Sequence, residues 1–123
     1  MIRLIKRRLI IPRGDTGSFT IPTLTTVEQG DVAVFSVFDP LTRTTILEKI
    51  IPATNETLTV YFNYEDTVSL KAGKYLWDIK IYLGPHYDED DKLCGGDEVH
   101  SYYAGYKLPV FEVREVTQDV KPY

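Results

Sequence analysis

Residues 74–83 read KYLWDIKIYL. Tyr75, Trp77, Ile79, Ile81 and Leu83 fall on every second position, and the set between them includes Asp78 and Lys80. Successive side chains of a strand point to opposite faces, so this alternation predicts a strand with one buried and one more polar face. A strand of that kind is stable only when its apolar face packs against something else.

Working outward, the same period recurs. In 57–64, Leu58, Val60, Phe62 and Tyr64 alternate with Thr57, Thr59, Tyr61 and Asn63. Residues 31–38 are apolar on both faces, which suits a central strand. Residues 44–51 and 108–116 read as further strands, with turns at Gly30–Asp31, Asp39–Pro40 and Ala72–Gly73. Seven or eight strands and no long helix make two packed sheets the economical solution. The expected core is Val34, Phe35, Leu58, Val60, Phe62, Trp77, Ile79, Phe111 and Val113. The pattern Leu70-x-x-Gly73-x-Tyr75-x-Trp77 resembles the corner that enters the penultimate strand of immunoglobulin-like sandwiches. There a tyrosine hydroxyl bonds back to the upstream backbone, two residues before a buried position held by cysteine in antibody domains. The expectation is therefore an all-β, immunoglobulin-like, two-sheet antiparallel β-sandwich, one domain over residues 1–123.

Composition agrees. Val, Ile, Thr, Tyr, Phe and Trp supply 49 of 123 residues and Ala only 4, a bias toward side chains that fit a pleated surface. The mix of 43% apolar and 26% charged residues excludes a disordered or collagen-like chain. No run approaches the roughly 20 apolar residues of a membrane helix. One cysteine, Cys94, leaves no internal disulfide and suits a reducing compartment. The net charge is −4, but residues 1–13 hold Arg3, Lys6, Arg7, Arg8 and Arg13 and no acid, so the other 110 residues carry −9. The apolar run after Arg8 ends at Pro12, too soon for a secretory signal. An acidic chain argues against nucleic acid as the partner of this arm, which reads as a first strand, Arg3 to Arg8, with cationic side chains outward.

Residues 84–107 break the strand texture. They hold four glycines, the acidic run Asp88, Glu89, Asp90 and Asp91, both histidines and Cys94. They read as a long loop excursion between the last two strands, and loops of this length tend to carry function. Six of nine tyrosines fall in 75–106. Acids steer a partner and tyrosines anchor it, which makes Tyr87, Asp88, Asp90, Asp91, Tyr102, Tyr103 and Tyr106 the candidate interaction residues. Zinc is a poor fit to His86, Cys94 and His100, because a structural site wants four ligands with close pairs. Consecutive acids also lack the alternation of a calcium loop. No metal or cofactor is expected.

Two short matches stand between Arg13 and Ser18. Asp15-Thr16-Gly17-Ser18 matches the D-T-G-[SA] motif of retroviral-type aspartic proteases, in which a homodimer brings two carboxylates together to share one proton. Here Asp15 follows Arg13-Gly14 instead of an apolar strand. Arg13-Gly14-Asp15 also spells the integrin tripeptide, which turn chemistry explains. No phosphate-binding glycine loop occurs, Ser36 lies in no G-x-S-x-G, and Ser101 has no acid–base partner readable from sequence.

Five phrases taken in order carry a family resemblance: Arg13–Thr16 with Phe19–Pro22, Gly30–Phe35, Glu65–Thr67, Leu70–Ile79 and Phe111–Thr117. Together they resemble the N-terminal domain of phage baseplate upper proteins and the short prophage-encoded proteins built from it. That resemblance implies an immunoglobulin-like sandwich serving as a non-catalytic connector in a tail or baseplate. It would be made in the cytoplasm and incorporated into the virion. Its partners would be other tail proteins and possible further copies of itself, with no nucleic acid or membrane. The chain departs from the family in lacking the long region that anchors receptor-binding proteins, and in the length of 84–107. A carbohydrate- or cell-surface-binding module and a homodimeric aspartic protease are the alternatives.

Overall fold

The alternating stretch at 74–83 lies inside a strand longer than its own pattern. In the computed structural model, which describes residues 1–102 and 107–115, the chain runs β1 (Arg3–Ile5), β2 (Arg8–Pro12), β3 (Gly17–Pro22), β4 (Val32–Asp39), β5 (Thr44–Pro52), β6 (Thr57–Phe62), α1 (Tyr64–Thr67), β7 (Gly73–Tyr87), β8 (Leu93–Ser101) and β9 (Val110–Arg114). Among the described residues the only α-helix has four residues, and the protein is all-β.

Seven strands form one sheet in the order β1-β2-β9-β7-β4-β5, with β8 added alongside the distal half of β7. β3 and β6 pair separately. The central position of β4, between β5 and β7, accounts for its two apolar faces. The large sheet is mixed, which corrects the purely antiparallel expectation: β2 and β9 run parallel, with Leu9 opposite Phe111 and Ile11 opposite Val113. No tight turn joins these two strands, so nothing local imposes the antiparallel sense that a hairpin would.

The β3–β6 pair lies against the large sheet through an aromatic core. Phe19 and Phe62 meet Phe35, Trp77 and Phe111 with ring centroids 5.5–6.0 Å apart. Leu9, Ile11, Ile21, Leu58, Val60, Ile79, Ile81 and Val113 fill the space around them. Every expected core residue is buried, but Val34 faces away from this core, on the outer side of the sheet. Tyr64 does not continue the inward set of β6. It starts α1 and is exposed.

Two hydrogen bonds hold the turn into β7. Tyr75 donates its hydroxyl to the Lys71 carbonyl at 2.7 Å, the backward bond that the sequence pattern predicts. Trp77, fully buried two residues on, donates its indole N–H to the Arg7 carbonyl at 3.0 Å. That bond ties β7 to the start of the chain. Arg3 to Arg8 are not one strand: Lys6 takes a left-handed conformation (φ 58°), and β1 folds back on β2.

The region 84–107 departs most from its reading. It is not a loop through most of its length. β7 continues to Tyr87, a turn occupies 88–92, and β8 returns antiparallel to Ser101. The alternation that marks a half-buried strand is absent because both faces of this hairpin are largely open, so pairing across the hairpin sets its structure. β4 accompanies β7 only as far as Tyr82, and beyond that point the hairpin continues as an arm. Gly84 marks the departure with φ +57°, a conformation that favours glycine.

Candidate functional site

The arm is anchored by a residue that pattern reading did not single out. Asp31, at the start of β4, accepts the Gly84 N–H on Oδ1 (2.9 Å) and the Glu28 N–H on Oδ2 (2.8 Å). These two donors, Glu28 foremost, hold its carboxyl below the usual carboxylate range. A carboxylate placed just before a strand, at Gly30-Asp31, is the sequence signal for such a brace, but nothing local names Gly84 as its partner. At the base of the arm Ser101 donates its hydroxyl to Asp78 Oδ2 at 2.9 Å.

The tip is a closed turn. Asp88 Oδ1 accepts the N–H groups of Asp90 (2.8 Å) and Lys92 (3.0 Å), and the Asp88 and Lys92 backbones are bonded at 2.9 Å. One acid therefore builds the turn, while Glu89, Asp90 and Asp91 stand exposed around it beside Tyr87. Of the expected interaction residues, Tyr87, Asp88, Asp90 and Asp91 come together here. Tyr102 does not join them. It sits at the base of the arm, packed on the core, with its hydroxyl donating to the Pro22 carbonyl at 3.3 Å. Burial raises its phenol pKa. Tyr103 and Tyr106 lie outside the described residues.

The remaining motif residues are placed as follows. His86 Nε2 meets Asp97 Oδ1 at 2.6 Å, Cys94 Sγ donates to the His86 carbonyl at 3.3 Å, and His100 faces Glu98 at 3.1 Å near the base. Among the described residues no three His, Cys, Asp or Glu side chains gather as a metal site. Asp15 lies in the turn between β2 and β3, where its N–H donates to the Pro12 carbonyl at 3.0 Å. Its Oδ2 meets the Met1 ammonium at 2.5 Å, and that partner lowers its pKa. Arg13, two residues before it, pairs with Glu115. Gly14 has φ +78° and donates to Thr67 Oγ1 at 2.8 Å, which ties this turn to α1.

Two hollows remain on the outer face of the large sheet. They measure about 360 and 450 Å³ and share Val34, Glu48 and Tyr82. One continues toward Phe38, Asp78 and Lys80, and the other toward Ile50, Tyr87 and Asp91. Together they form a trough beneath the arm that combines aromatic faces with both signs of charge. Among the described residues no helix is long and apolar enough to cross a membrane. Set against family models, curated proteins and solved structures, the chain matches none of them.

Proposed function

We propose that this chain is a non-catalytic structural connector of a phage or prophage tail, built on an immunoglobulin-like β-sandwich and acting through protein–protein contacts. The fold part of this reading is supported by strand order. Labelling β3, β4, β5, β6, β7 and β9 as strands B, C, C′, E, F and G gives G-F-C-C′ in one sheet and B-E in the other. That is the order of immunoglobulin-like domains, and the Tyr75 hydroxyl bond falls at the start of strand F, where those domains carry it. The ordered phrases spanning 13–117 support the tail assignment.

The observation that carries the connector role is the β7–β8 arm. It projects past the strands that pack on the core, and it displays Tyr87 among exposed acids. A domain does not need such a projection to fold, whereas a docking protein does. The test replaces residues 84–97 with Asn-Gly, so that Leu83 and Glu98, already opposite each other, close a two-residue hairpin. Co-expressed with the products of the genes flanking its own, the intact chain co-purifies with at least one virion protein. The shortened chain remains folded and loses it. Flanking genes that encode no virion protein, or capture unchanged by the deletion, would overturn the proposal.

A second reading is favoured by the trough. Tyr82 and Tyr87 beside Glu48, Asp78 and Asp91 present ring faces and hydroxyl acceptors, the usual equipment for a neutral oligosaccharide. Saturable binding in a glycan titration that disappears in Tyr82→Ala would promote this reading over the first.

A further inference from the structure

Opposite in character to the arm tip is the turn between β1 and β2. Lys6 is exposed and makes no ion pair among the described residues, whereas Arg8 and Arg13 are held by Glu112 and Glu115. Beside this turn lies a recess of about 460 Å³ lined by Leu4, Lys6, Arg7, Pro22, Leu24 and Tyr102. It is apolar in its walls and cationic at its rim, and Leu24 is 65% exposed there. The arm, residues 84–98, carries a net charge of −5. Its tip presents one aromatic, Tyr87, 49% exposed and ringed by acids. An amphipathic aromatic with an acidic collar is the complement of an apolar recess with a basic rim.

The two cannot meet within one molecule. Tyr102 lines the recess and directly follows the base of the arm, and eight strand steps from Ser101 to Leu93 carry the tip about 26 Å away. We propose that the arm tip of one copy docks in the β1–β2 recess of the next, with Tyr87 in the recess and Glu89, Asp90 and Asp91 against Lys6 and Arg7, which line it. One patch meeting a different patch is a heterologous contact, which propagates into a ring or a filament instead of stopping at a dimer. This inference deepens the connector reading by naming a partner surface, the chain's own.

The experiment is charge exchange followed by sedimentation velocity. The wild-type chain should self-associate with rising concentration at low salt and dissociate as salt screens the contact. Glu89→Lys/Asp90→Lys and Lys6→Glu/Arg7→Glu should each weaken self-association at least about tenfold, since like charges then face each other. Far-UV spectra should stay unchanged. Mixing the two variants restores complementarity at both patches and should restore assembly. Tyr87→Ala should weaken assembly without moving the melting temperature. A wild-type chain monomeric at low salt, charge reversals without effect, or a mixture that fails to assemble would each overturn the inference. A monomer that still captured a virion protein would do so while leaving the connector reading intact.

Discussion

Replacing Trp77 by alanine tests the core directly. Its ring is fully buried, lies 5.5 Å from Phe19 and 5.7 Å from Phe35, and donates to the Arg7 carbonyl. It therefore joins three parts of the molecule: the β3–β6 pair, the centre of the large sheet and the first hairpin. Deleting a buried aromatic ring costs about 3–5 kcal/mol through lost transfer energy and the cavity left behind. Removing the indole donor from the Arg7 carbonyl adds about 1 kcal/mol. The expected loss is about 5 kcal/mol, and an unfolding entropy of about 2.1 cal/mol/K per residue turns that into a drop in Tm of about 20 °C. Trp77→Phe keeps a ring against Phe19 and Phe35 but loses the donor, so it should fall between the two. Trp77 is the only tryptophan. Unfolding in urea is therefore followed by far-UV circular dichroism, with unchanged slope as the check that only stability has moved. A loss below about 2 kcal/mol would refute the argument, because no well-packed junction gives up such a ring so cheaply.

Tyr75→Phe removes the bond to the Lys71 carbonyl and should cost about 1 kcal/mol, read as a Tm lower by about 4 °C. Gly14→Ala places a Cβ 3.0 Å from the Tyr64 ring at φ +78°, and should cost about 1–2 kcal/mol in the same assay. Asp15→Asn keeps the turn, loses only a partly exposed ion pair with the Met1 ammonium, and should cost at most about 1 kcal/mol. Peptide hydrolysis at acidic pH that vanishes in this variant would establish the protease alternative. Asp31 has a folded pKa below its unfolded value, so its contribution is present above the unfolded pKa of about 3.9 and is lost as pH falls through the folded one. Tm measured from neutral to strongly acidic pH should decline less steeply in Asp31→Asn. Superimposable slopes would contradict the role of Asp31 as the brace of the arm.

Strand identity at 57–62 and 73–83 is legible in the sequence because burial on one face imposes a period of two, and at 32–39 because a run apolar on both faces suits a strand flanked on both sides. The turn at Asp39–Pro40 and the Tyr75 bond are legible because they are local: their partners lie within four residues. What is paired with what is not local. The parallel alignment of β2 with β9 joins segments about a hundred residues apart, and the buried Leu9 and Ile11 show no pattern beyond a short apolar run. Val34 belongs to the outer face, a distinction that exists only once β5 and β7 flank β4. The candidate site divides along the same line. Composition alone marks Tyr87, Asp88, Asp90 and Asp91 as a polar, aromatic tip. Only the folded chain makes that tip the end of a paired arm, braces it with Asp31 from β4 and moves Tyr102 away to its base. Hydrogen bonding across the arm replaces burial as its organising force there, and backbone hydrogen bonds leave no periodic trace in side-chain hydrophobicity.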